Sequence, residues 1–259
     1  MKKTIITLLA LSASVYGATV GPVDTTDSTL KTYFNFETGN SQTAGSMSGW
    51  NEKLTWNEDG QYGTTSQSHT MYAENLSLNL GNSGGLTVSF DIKNLTREGT
   101  VLTISNGAVG DGWKALLLSI NKNEETQGYT LTSTVGTLTL SANIGNLTDW
   151  TTVTVVATTV DKTYGSETCN VDLYVDGTLA NATTSPWGAH NFVRDGLNKV
   201  QMGYWGNGDN SGYADFDNVL IYGRAMSASE IKGLVIPEPA TATLSLLALA
   251  GLAARRRRK

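Results

Sequence analysis

With 259 residues and a single cysteine, the chain is long enough for one sizeable core and cannot close an internal disulfide. Its formal charge is −5, and a basic cluster, Arg255 to Lys259, sits at the very end, so the body is more acidic than the total. An acidic body lacks the clustered basic face that nucleic acid requires, and it is a poor electrostatic partner for acidic glycans unless a metal intervenes.

The chain begins like a secretory signal. Lys2 and Lys3 precede an apolar stretch from Ile5 to Leu11, with small or tolerated residues before a cut expected after Gly17. Residues 1–17 are therefore read as a signal peptide and 18–234 as the exported body. Period-two alternation recurs through that body. Leu86, Val88, Phe90 and Ile92 alternate with Thr87, Ser89, Asp91 and Lys93, and the same pattern returns at 138–142, 153–157 and 171–175. Shorter candidate strands fall at 33–36, 76–80, 101–105, 114–121, 129–133, 199–203 and 215–222. Turn dipeptides separate them, and Asp176-Gly177 is the strongest hairpin signal. Apolar residues on one face and Thr, Ser and Asn on the other predict antiparallel sheets packed face to face, an all-β sandwich. The one helix predicted before the tail starts at Ser227, where Ser227-Ala-Ser-Glu230 spells a capping box, and it ends near Gly233.

Residues 235–259 read as a second targeting element. Pro237-Glu238-Pro239 stops the preceding structure, residues 240–254 carry no charge, and the basic cluster follows. The apolar run is short for a bilayer span, but snorkelling arginines and local thinning can cover the difference. The positive-inside bias leaves the body outside.

Two stretches carry a family resemblance. Gly212 to Ile231, a strand that runs into the capping box, resembles the closing signature of laminin-G-like, concanavalin A-like jelly-roll domains. Tyr33–Phe36, Leu86–Ile92, Asp149–Val156 and Val171–Leu179 resemble earlier strands of that fold in the same order. The tail, from Val235 through Pro237, Glu238 and Pro239 to the final arginines, resembles a PEP-CTERM sorting signal. That resemblance implies recognition by an exosortase-type machinery in the inner membrane of a Gram-negative bacterium, then transfer to the outer surface or an extracellular matrix.

The jelly-roll resemblance implies glycan ligands and, in some relatives, a structural calcium. Asp217 is expected on the same face as Val219 and Ile221, hence buried, and a buried carboxylate needs a hydrogen bond, a partner or a metal. Asp217 and Glu37 are the calcium-ligand candidates, and an aspartate capping loop amides is the alternative. Trp187 and Trp205, in loops rich in Gly, Asn and Asp, are the candidate sugar platforms, since an indole offers an apolar face beside polar groups. Trp150 is expected to be packed in the core. No strand carries the closely spaced glutamates and aspartates of the glycosidases that share this fold, and neither histidine sits in the sequence context of a catalytic nucleophile. The expectation is thus a non-catalytic surface binding or adhesion module for carbohydrate. A structural matrix protein is the alternative, and a diverged glycoside hydrolase or lyase the third reading.

Overall fold

The computed structural model describes residues 23–47, 51–106, 115–136, 138–164, 166–185, 196–203 and 210–235. The expected signal peptide, the apolar segment 240–254, Pro237, Glu238, Pro239, Trp187 and Trp205 all lie outside the described residues. Among the described residues no helix is long and apolar enough to cross a membrane.

Two antiparallel sheets face one another. The eight-stranded sheet runs in the order β13 (Thr178–Ser185), β12 (Thr168–Val175), β11 (Thr151–Asp161), β6 (Gly85–Arg97), β15 (Tyr213–Tyr222), β4 (Tyr62–Thr64) and β3 (Thr55–Asn57). β1 (Leu30–Phe34) pairs with the second half of β15. The seven-stranded sheet runs β10 (Leu138–Asn143), β9 (Gly128–Val135), β8 (Ala115–Asn123), β7 (Gly99–Ser105), β14 (Lys199–Met202), β5 (Met71–Ala73) and β2 (Asn51–Glu52). The predicted all-β sandwich is what forms.

The alternating apolar positions meet in one core between the sheets, where Val88, Phe90, Val155, Leu173, Ile104, Leu118 and Phe216 are fully or almost fully buried. Removing each such side chain from water stabilises the fold by about 1.5–3 kcal/mol, which lets the sandwich stand without disulfides. Cys169 is one of these core residues, and burial pushes its thiol up to about 12. The Asp176-Gly177 hairpin joins β12 to β13 with both turn residues at positive φ, 48° and 69°, the twist that suits a two-residue hairpin.

One candidate strand does not form, and β2, β3, β4 and β5 arise where the alternation offers none. Residues 76–80 do not form a strand; Leu78 makes a single bridge to Leu197, and the chain turns into a short helix, α1 (Leu80–Ser83). Asn79 caps that helix and Gly84 closes it in the left-handed conformation, a local device too brief to leave a helical period. The second helix, α2 (Ala228–Leu234), has the predicted capping box, with Ser227 and Glu230 satisfying each other's backbone amides. It lies on the outer face of the eight-stranded sheet. There Ile231 and Leu234 join Leu30, Val156, Tyr174, Leu220, Tyr222 and Met226 in a second apolar cluster.

Candidate functional site

α2 and its apolar cluster cover one half of that outer face; the other half carries the polar chemistry. Asp215 and Asp217 project from β15, Asp91 and Lys93 from β6, and Thr152 from β11. Asp217 lies directly opposite Asp91 in the ladder. Both are buried, at 4 % and 0 % exposure.

A β-bulge sets this pair. Between Asp217 and Leu220 the register slips, with Asn218 at φ 48° as the extra residue. The slip changes which residues face the core. Phe216, Val219 and Ile221 belong to the core, whereas Asp217, Leu220 and Tyr222 face outward. Asp217 therefore does not share a face with Val219 and Ile221, as unbroken alternation predicts. It is buried on the far side of the sheet.

The bulge residue also supplies the pair's hydrogen bonds. Asn218 donates its amide N–H to Asp217 Oδ1 at 2.8 Å and its side-chain Nδ2 to Asp91 Oδ2 at 2.8 Å. Thr152 donates Oγ1 to Asp91 Oδ1 at 2.5 Å. Burial dominates the electrostatics. It raises the Asp91 carboxyl from 3.8 to about 6 against the lowering effect of Thr152 and Asn218, with Asp176 adding repulsion. It raises Asp217 from 3.8 to about 8, with Asp91 and Glu37 adding like charge and only Asn218 and Lys93 opposing. Tyr33, on β1 across from Leu220, is pushed up to about 12 by burial and by the same three carboxyls.

Glu37 itself is exposed on the segment after β1. Of the two expected calcium ligands, then, one sits in the pair and the other approaches it from the surface. Among the described residues no group of three or more His, Cys, Asp and Glu side chains is gathered for a metal ion. Nor is the pair exposed as an acid and nucleophile would have to be, since both carboxyls are buried and hydrogen-bonded to neighbouring protein groups.

Beside the pair, Lys93 Nζ stands 4.5 Å from the centre of the Tyr62 ring and 4.3 Å from that of Trp150. The two rings meet edge-on at 5.7 Å. Trp150 is half-exposed, not packed in the core, because it precedes β11 on the outer face and stacks with Lys93. Asp215 completes the edge of this patch, accepting from Thr64 Oγ1 at 2.6 Å and Asn94 Nδ2 at 2.8 Å. Trp56, which has no readable role in the sequence, packs on the core and donates Nε1 to the Phe36 carbonyl at 2.8 Å. His69 is exposed, with Nδ1 2.9 Å from Ser66 Oγ.

Among the described residues, a groove of about 720 Å³ lies at the edge of the sandwich, lined by hydroxyl and amide side chains that include Thr29, Ser77, Asn79, Asn82 and Asn198, with Lys31 as its cation. Four separate segments meet there: the entry to β1, the loop into α1, the approach to β14 and the exit from β15 at Gly223. Sequence reasoning misses the groove because none of these segments carries a motif.

Residues 235–259 match the PEP-CTERM protein-sorting motif. No curated protein matches the chain. Among solved structures, the sandwich is similar to the receptor-binding domain of botulinum neurotoxin type G, at 14% identity and a TM-score of 0.52, over 79% of this chain and 50% of that one. It is also similar to the binding domain of Paraclostridial Mosquitocidal Protein 1, at 13% identity and a TM-score of 0.53, over 80% and 52%. A third similar structure, at 12% identity and a TM-score of 0.52, is that of botulinum neurotoxin type C, whose title describes interaction with two ganglioside molecules. The chain spans about half the length of these solved domains. At such identity the likeness speaks for the fold alone, a β-sandwich.

Proposed function

We propose that the protein is an exported, surface-associated, non-catalytic module that binds carbohydrate and is delivered by exosortase-type sorting. One observation carries this reading: α2 ends the sandwich at Leu234 and the sorting motif begins at Val235, so the sandwich is itself the cargo. A cargo of this kind acts through its surface, and the surface offers hollows lined by hydroxyl and amide groups that suit a polyhydroxylated ligand. The binding roles of the similar toxin domains support the reading by analogy of fold. Calcium remains part of the proposal through the Asp91–Asp217 pair, with Glu37 adding charge.

The test has two parts. Cell fractionation follows the native chain and a variant with Pro237, Glu238 and Pro239 all changed to Ala. The native chain is expected at the outer surface or in the medium and the variant in the inner membrane; identical distributions would remove the sorting claim. The full chain is then screened on a broad glycan array with calcium and with chelator. Saturable, selective binding is expected, and a blank array from folded protein would leave a structural matrix role.

A further inference from the structure

The outer face of the seven-stranded sheet holds a smaller hollow that the sequence does not announce. It has a volume of about 260 Å³ and is lined, among the described residues, by Thr70, Tyr72, Glu74, Lys199 and Gln201. The ladder explains why these residues meet. Gln201 on β14 lies between Tyr72 on β5 and Thr103 on β7, so the three form one row across the sheet on the side away from the core.

Gln201, which lines the hollow, is 2 % exposed, and its ladder neighbour Thr103, beyond the lining, is 1 % exposed, yet Gln201 Oε1 and Thr103 Oγ1 have no hydrogen-bond partner. Leaving a buried polar atom unmatched costs about 1–3 kcal/mol, so side-by-side orphans in a sheet call for an explanation. A leucine or valine would fill the same space at no such cost. The walls have complementary chemistry. The Tyr72 ring is half-exposed, with Lys199 Nζ 5.7 Å from its centre. Lys199 is itself paired with Glu74 at 2.9 Å, so the rim carries both a donor and an acceptor but no net charge.

We infer that this hollow is a binding site for one neutral pyranose ring, which deepens the carbohydrate reading proposed above and rests on it. Gln201 Oε1 is covered in the unliganded fold, so a rotation of the Gln201 amide within the hollow it lines exposes it to a ring hydroxyl, which donates to it and supplies the partner that the fold withholds. The apolar C–H face of the sugar lies against Tyr72, and the Glu74–Lys199 pair brackets further hydroxyls. The volume suits a single ring, and the balanced rim favours a neutral sugar over an acidic one. The groove beside β1 has no aromatic wall among its described lining, and no orphaned atom among the buried polar groups lies in it.

The test uses the full chain in a detergent without a sugar headgroup. Methyl glycosides of glucose, galactose, mannose and N-acetylglucosamine are titrated by calorimetry beside glucuronic acid, and the same titrations are run on Gln201→Leu and Tyr72→Ala. At least one neutral glycoside is expected to bind, with affinity falling tenfold or more in each variant. Gln201→Leu is expected to melt no lower than the native chain, because it removes an unmatched amide; that separates lost binding from lost folding. Neutral-sugar binding that both folded variants retain would overturn the assignment of this hollow while leaving the carbohydrate reading intact. Preference for glucuronic acid would overturn the neutral-ring assignment. Absence of binding to every glycoside, together with a blank glycan array, would overturn both.

Discussion

Replacing Asp217 by Asn should stabilise the protein at neutral and alkaline pH, and the size of the gain follows from where the carboxyl sits. Its folded value of about 8 lies far above the 3.8 it has in the unfolded chain, chiefly because it is buried. Between those two values the folded state holds a proton that the unfolded state has released. The stability associated with that proton is complete below the unfolded value and is lost as the pH rises through about 8. From the unfolded value to neutrality is roughly three pKa units at about 1.4 kcal/mol each, so keeping this carboxyl in the fold costs on the order of 4 kcal/mol by pH 7. Asparagine keeps an oxygen to accept the Asn218 amide and has no proton to lose. The variant should therefore gain roughly 2 kcal/mol or more in unfolding free energy at pH 8, the remainder being offset by its new amide donors, and little at pH 4. Urea denaturation of native chain and variant from pH 4 to 9, with chelator throughout, measures the difference. Carboxyls held low in the fold, such as Asp27 and Glu230, act in the opposite direction but are common to both proteins and cancel. An Asp217→Asn chain no more stable than the native one at pH 8, or a stability difference flat across the range, would refute the argument.

Thr152→Val removes the donor to Asp91 Oδ1 and should cost about 1–3 kcal/mol in the same assay, more above pH 6 than below it. An unchanged midpoint at pH 8 would mean that the pair is not under load. Ser227→Ala breaks the capping box and should cost about 0.5–2 kcal/mol, measured by the same denaturation; no loss would show that α2 is held by its apolar face alone. At pH 9, where the pair is more fully ionised than at neutrality, millimolar calcium should raise the thermal midpoint of the native chain more than that of Asp217→Asn. Equal shifts would remove Asp217 as a ligand.

The long strands were legible because each one carries its own record of burial, whereas β2 to β5, at two or three residues each, are too short to alternate. Leu86 to Ile92 and Val171 to Val175 alternate cleanly, and the core is where that alternation puts it. The chemistry was less legible because it depends on pairs across strands. Asp91 reads as the wet side of an alternating strand, yet the outer face is itself covered, and Asp91 is as deeply buried as Phe90. Only the ladder register brings it to Asp217, and only the bulge turns Asp217 away from the core. The Asp217-Asn218 dipeptide holds a signal for that bulge, since Asn tolerates the left-handed conformation better than most residues. Gln201 and Tyr72 lie far apart in the chain, and no local pattern places them side by side.

β1 is antiparallel to β15, and Leu30 faces Tyr222, so the chain enters and leaves the sandwich as neighbours at one end. On an anchored protein, tension through the tail would reach the fold by way of α2 and the end of β15. β15 is flanked by β6 along its length and by β1 and β4 on its other side. A pull along its axis loads those ladders in shear, where many hydrogen bonds must give together instead of unzipping in turn.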